Sequence, residues 1–204
     1  MDIYLTFEQI GLIVLTFSLG FIGTFLYNSF FEWCLHKYLM HSLLLPYSFH
    51  AHALVHHGVF RADSSYHLER QDPDKVTFAW WNAPLMVLGH LPVLVGLWYV
   101  LGWSFSAGAL VSMLVYYVLY ESMHWCMHVP KNRLIEQTKM FRYLNAHHYL
   151  HHRNAYRNLN VVLPFADWLM GTLIPVSEMK FMNEPQPVSG TIEFGYAREV
   201  PVSG

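Results

Sequence analysis

Long uncharged apolar runs alternate along this chain with short segments dense in histidine. Residues 10–31 carry no charge over 22 positions. A helix needs roughly 20 apolar residues to cross a bilayer, so this run is long enough to span. No basic residue precedes it and no small-residue cleavage site closes it, so it is read as a span and not as a signal peptide. It runs directly into Glu32 and His36, so the same helix should deliver the first histidines. Residues 43–49 are apolar but short and broken by Pro46, which predicts an interfacial turn. A helix restarts over residues 50–57. Residues 61–75 are strongly charged and predict an aqueous loop, with His67 inside it as a surface or supporting group.

Two more apolar stretches follow, residues 83–101 and 107–120, separated by Gly102-Trp-Ser-Phe-Ser. The short connection predicts a helical hairpin in the membrane, since only helices and closed barrels satisfy their backbone there. His90 lies midway along the first arm, as a polar contact between helices or the lining of a cavity. Residues 130–133 break the second arm. Residues 134–153 predict one amphipathic helix, residues 154–160 a loop, and Thr191 to Phe194 a short strand in a loose tail. The boundaries read as spans at about 10–31, 83–101 and 105–123, a cap at about 32–75 and 121–175, and a tail at 176–204. A fourth span is open if residues 32–49 dip into the bilayer. The whole chain, 1–204, reads as one all-α, membrane-embedded domain.

Composition supports the membrane reading. Apolar residues make up 54% and charged residues 13%, with 7 Trp, 13 Tyr and 14 Phe; aromatics of this kind populate membrane interfaces. All 12 Lys and Arg lie at or after Lys37, and the hairpin turn has none. Positive charge prefers the cytoplasmic side. The expected topology is therefore three spans with an external N-terminus and every histidine cluster on the cytoplasmic face. A net charge of -2 without a basic stripe gives no sign of nucleic-acid binding. Cys34 and Cys126 make no Cys-x-x-Cys pair and are expected to be small buried residues.

The candidate chemistry lies in the histidines. Of 14, twelve fall in four clusters: His36 and His41; His50, His52, His56 and His57; His124 and His128; His147, His148, His151 and His152. On an α-helix, residues three and four apart share a face. That puts His52 with His56, with His57 to the side, puts His124 with His128, and groups His148, His151 and His152. His36 and His41 are five apart, splayed by about 140° on a straight helix, so they flank one site or serve two neighbouring metals. Packing twelve imidazoles without partners would leave many ring nitrogens unsatisfied, whereas a metal pair with about five imidazoles each consumes them. Zinc, iron, manganese or copper all suit such ligands. Glu121, Asn158, Asn160 and Asp167 are the nearby groups expected to orient ligands or stabilise structure.

The order His-x4-His, His-x3-His-His, His-x3-His, His-x2-His-His, followed by Asn160-Val-Val-Leu-Pro-Phe-Ala-Asp167-Trp-Leu-Met-Gly171-Thr, resembles the fatty acid hydroxylase superfamily, also called the sterol desaturase family. The resemblance covers about residues 30–175. It implies an integral membrane oxygenase with a histidine-bound diiron centre at the cytoplasmic face, using O2 to hydroxylate a C–H bond of a lipid. Matched residue by residue, it implies the ligands His36, His41, His52, His56, His57, His124, His128, His148, His151 and His152. His50 and His147 stand behind them with Glu121, Asn160 and Asp167. Zinc can replace iron in purified members of this group, and zinc has no redox chemistry. The implied partners are a membrane lipid of fatty acyl, sterol or isoprenoid type and a separate electron donor, cytochrome b5-like or ferredoxin-like; no G-x-G-x-x-G fingerprint is present. Arg153, Arg157 and Lys139 are candidates for an acidic headgroup. The alternatives are desaturation or carotenoid hydroxylation on the same scaffold, a non-redox zinc hydrolase, and a membrane metal-binding or transport protein.

Overall fold

A computed structural model describes residues 6–67, 76–77, 79 and 81–176. Helix α1 spans Phe7–Cys34. It starts at a capping box in which Thr6 accepts from the Gln9 backbone and Gln9 accepts from the Thr6 backbone, two otherwise orphaned amides satisfied together. It runs on without a break as a π-helix over Leu35–Met40. Short helix α2 (Pro46–Phe49) leads into a second π-helix at His50–His56 and then α3 (His57–Val59). The hairpin is α4 (Asn82–Leu101) and α5 (Trp103–His128), followed by a 3-10 turn at Ile135–Gln137, α6 (Lys139–Arg153) and α7 (Phe165–Leu169). The described residues contain no strand.

Among the described residues three helices are long and apolar enough to cross a membrane: Phe7–Met40, Asn82–Leu101 and Trp103–His128. Their outer faces present large apolar side chains, among them Leu15, Leu19, Leu88 and Val118, as lipid-facing surface should. Residues 32–49 make no fourth span. The chain turns after Met40, and Leu43, Leu44 and Tyr47 lie exposed.

Helices α1 and α5 pack by letting their backbones touch. A methyl group added at Gly20 would sit 2.1 Å from the Phe105 carbonyl oxygen, and one at Gly108 the same distance from that of Phe17. Ala109 and Ser112 are fully buried beside them. Apolar side chains gain little by leaving lipid, so such close approach of small residues is what holds membrane helices together. The Thr16 and Ser104 hydroxyls are hydrogen-bonded across this seam, and Tyr116 donates to Glu32 at 2.6 Å.

The hairpin turn is tighter than expected. Gly102 alone makes it, at φ 89°, a conformation that costs glycine nothing, and α5 begins at Trp103. The amphipathic stretch of residues 134–153 is broken at Thr138, whose extended backbone lets its hydroxyl accept from Phe141 and cap α6. Cys126 is buried but Cys34 is exposed, because it lies on the outer face of α1. The tail strand at Thr191 to Phe194 and the second half of the charged loop lie outside the described residues.

The buried hydrophobic clusters lie at the histidine end of the molecule. Tyr120, Met123 and Met127 of α5 pack on Phe141 and Leu144 of α6 and on Val161. Trp33 packs on Leu159 and Ala166. These contacts seat α6 and the loop after it against the ends of the spans.

Candidate metal centre

The two π-helices set the geometry. In a π-helix the backbone bond closes over five residues, and His41 N–H donates to the His36 carbonyl at 3.0 Å. The extra residue per turn brings residues five apart onto one face. His36 and His41 therefore stack, with ring centroids 5.1 Å apart. The second π-helix does the same for His52 and His57, the His57 N–H donating to the His52 carbonyl.

Two groups of five histidines result. One holds His36, His41, His52, His57 and His151; the other holds His56, His124, His128, His148 and His152. Within each, one nitrogen per ring lies within 4.8 Å of all the others. This corrects the α-helical grouping. His52 faces the same group as His57, and His56 faces the other. On α6, His148 and His152 share one group while His151 turns to the first. His124 and His128, a plain i, i+4 pair on α5, fall together as expected. The groups abut, with the His57 and His152 rings 4.2 Å apart.

Hydrogen bonds decide which nitrogen points inward. Nδ1–H donates to a backbone carbonyl in five rings: His36 to Leu159 (2.5 Å), His151 to Arg157 (3.0 Å), His124 to Val76 (3.1 Å), His128 to Tyr66 (3.1 Å) and His152 to Phe60 (2.5 Å). A neutral imidazole carries one N–H, so Nε2 of each is a bare lone pair. In the second group three such lone pairs, on His124, His128 and His152, face one small volume, and the buried His124 Nε2 has no hydrogen-bond partner.

Burial, then repulsion from neighbouring imidazoles, holds His52, His148, His151 and His152 well below the ordinary histidine range, and His41 at about 4. At neutral pH these imidazoles are neutral. Nε2 atoms of neighbours lie 2.8–3.2 Å apart, as in His36–His52, His57–His52 and His128–His148. Bonds of roughly 2.1 Å to one ion would place nitrogens at right angles about 3.0 Å apart. Converging lone pairs at this spacing fit a cation in each group.

Behind the ligands stands a hydrogen-bonded loop. The Asp167 carboxylate accepts from the Leu159 and Asn160 amides (2.9 and 2.7 Å), the Thr172 hydroxyl (2.6 Å) and His147 Nε2 (3.1 Å). Burial works to raise its pKa, but the bonds from His147, Thr172 and the Asn160 backbone outweigh it and hold it below the ordinary carboxylate range. The residues so fixed include Leu159, whose carbonyl orients His36. His147 is thus in the supporting layer with Asn160 and Asp167. Asn158, at φ 52°, ties the His147 carbonyl to Ile174. His50 is exposed and lies in neither group. Glu121 bonds Tyr117, one turn back on α5, and also lies outside both. His67 packs on Tyr66 outside them as well.

Sequence reasoning missed Glu32. It is buried and accepts from Tyr116, Asn160 Nδ2 and the Val161 amide, joining two spans to the Asp167 loop. Its signal was present: a carboxylate at the end of an apolar run, one turn before His36. His90 lines a cavity, one of the two places expected for it, between α1, α4 and α5 with almost wholly apolar walls, including Phe31, Leu35 and Met86. The cavity reaches His36 of the first group.

A family model described as Fatty acid hydroxylase matches residues 21–172. The match takes in all ten grouped histidines and the Asp167 loop. No curated protein and no solved structure matches the chain.

Proposed function

Because the chain belongs to the fatty acid hydroxylase family, we propose that it is a membrane-bound lipid hydroxylase in which each five-histidine group holds one iron ion. The observation that carries this reading is the pair of abutting groups with their nitrogens turned inward. Five imidazoles on each of two sites exceed the four ligands of a structural zinc. They suit a pair of redox ions, whose contribution when bound is to activate O2 with two electrons. The net reaction balances as R–H + O2 + 2 electrons + 2 H⁺ giving R–OH + H2O.

The protein's own part is to hold and shield. Backbone carbonyls lock the imidazole tautomers, a supporting layer of the kind that tunes metal affinity. The apolar cavity admits a lipid from the side, between the spans, and brings a carbon to the His36 end. Phe31, Leu35 and Met86 exclude water there, and a carbon held still reacts where a loose one does not. Electrons come from a separate protein of cytochrome b5 or ferredoxin type. The Lys and Arg distribution supports a histidine end on the cytoplasmic side, within reach of such a donor.

The test is lipid mass spectrometry on cells expressing the wild type or the His148→Ala, His152→Ala double variant, with iron and O2 supplied. A lipid heavier by one oxygen, seen with the wild type alone, supports hydroxylation. A lipid lighter by two hydrogens moves the reading to desaturation on the same scaffold. Equal lipid profiles, persisting after reconstitution with a reducing system, sink both.

A further inference from the structure

The cavity has a polar far end that lipid hydroxylation as such does not require. On α1 its wall follows one helical face, Asn28, Phe31 and Leu35 leading to His36, the i, i+3, i+7, i+8 spacing of a single stripe. Asn28 is eight residues before His36, about 12 Å along the helix at 1.5 Å per residue. The distance is that of about ten bonds in an extended carbon chain. From the opposite side, α4 brings His90 and α5 brings Met113 to the cavity.

The polar groups here differ in one respect. His90 is satisfied: Nδ1 donates to the Met86 carbonyl at 2.8 Å, and Nε2 meets the Tyr27 hydroxyl at 3.2 Å. Asn28 is 95% buried (5% exposed), and its amide nitrogen has no hydrogen-bond partner. An amide inside a membrane span is costly unless something bonds to it. Asn28 borders the cavity, so a bound molecule can supply what the protein does not. Among the described residues no Lys or Arg lines the cavity, and Glu32 is the one Asp or Glu there. A carboxylate or phosphate would therefore meet no counter-charge, and a plain hydrocarbon would leave the amide unpaired.

We propose that the cavity selects lipids carrying a neutral oxygen, a hydroxyl or ketone, which hydrogen-bonds Asn28 while a carbon about 12 Å away lies beside His36. This rests on the hydroxylase reading for what happens at His36, but not for the recognition itself. Asn28 is then a specificity residue: it makes the substrate an already oxygenated neutral lipid, a ring or chain with an oxygen remote from the carbon attacked. The reaction supplying such a substrate is an earlier oxygenation or the formation of an oxygen-bearing lipid skeleton.

The experiment is competitive binding in phosphatidylcholine nanodiscs, read by native mass spectrometry. The probes are two matched pairs, cholestanol against cholestane and hexadecanol against hexadecane. Wild type is compared with Asn28→Leu and Asn28→Ala, and the alcohol-to-hydrocarbon ratio is compared between proteins, which cancels partitioning into the bilayer. The expected result is a ratio about tenfold higher in wild type for at least one pair, lost in both variants. Equal ratios in wild type and variants overturn the proposal, as does failure of all four probes to bind wild type. If a variant does not fold, the other carries the comparison, and a wild type with no preference for either alcohol beyond that of protein-free nanodiscs overturns it unaided. Binding is read without turnover, so the two readings fail separately. A preference lost in the variants, with no O2-dependent product from any lipid, keeps Asn28 as a recognition residue and removes the hydroxylase.

Discussion

At the scale of single residues, what matters is which atom each side chain offers. Five of the ten grouped histidines are fixed from behind by carbonyls and open in front, so removing a ring and removing a support should have different effects. His36→Ala and His148→Ala each strip one of the two five-histidine groups. Elemental analysis of the purified variants should show about half the metal of wild type, and normal content in both would sink the ligand assignment. Asp167→Ala leaves donors from His147, Leu159, Asn160 and Thr172 buried without an acceptor. Breaking a buried, hydrogen-bonded charge in this way costs about 3–5 kcal/mol, to be read as a lowered unfolding midpoint in detergent. Asp167→Asn keeps the shape and one acceptor oxygen, and should lose less.

At the scale of elements, the π-helices are the device that makes two sites from four histidine clusters. Each carries one residue more per turn than an α-helix would, and that residue turns His41 beside His36 and His57 beside His52. Inserting an alanine after Leu39 sets His41 one residue further from His36 than the π-helical repeat allows, off its face in an α-helix as well, and should swing His41 away. The first group then loses metal while the second keeps it, which spectroscopy of the two sites or a half-maximal metal content would show. The α1–α5 seam offers a separate test. Gly108→Val places a side chain where the Phe17 carbonyl already lies. Overpacking typically costs about 1–3 kcal/mol, and with a backbone atom as the obstacle the loss should reach the upper end. Resistance to SDS unfolding is the measurement, and an unchanged midpoint would mean the seam opens freely.

At the scale of the whole molecule, the spans act as a stand for the histidine end and as walls for the cavity beside it. All twelve basic residues lie toward the cap or the tail, and none at the Gly102 turn. In a cysteine-free background, Asn154→Cys should react with an impermeant maleimide only in inverted vesicles, and Trp103→Cys only in right-side-out ones. The reverse pattern would place the histidine groups outside and remove the cytoplasmic electron donor from the proposal.

The sequence by itself determined the helical class, the three spans and the set of clustered histidines. Each of these is local: an uncharged run of sufficient length, or ligand-type side chains a few residues apart. It did not determine how the histidines divide, because Leu35–Met40 and His50–His56 take a π-helical repeat in place of the α-helical one, and the choice depends on which nitrogens must meet across α1, α5 and α6. The split of His151 from His148 and His152 likewise follows from where α6 lies against the spans. Glu32 reaches Asn160 and Val161 across 128 and 129 positions, and His36 reaches the Leu159 carbonyl across 123, so no spacing along the chain reveals these contacts. Gly20 and Gly108 were visible as small residues, but only packing shows that their missing side chains are what brings two backbones into contact. The cavity ending at Asn28 belongs to three helices at once, and its existence is a property of their assembly alone.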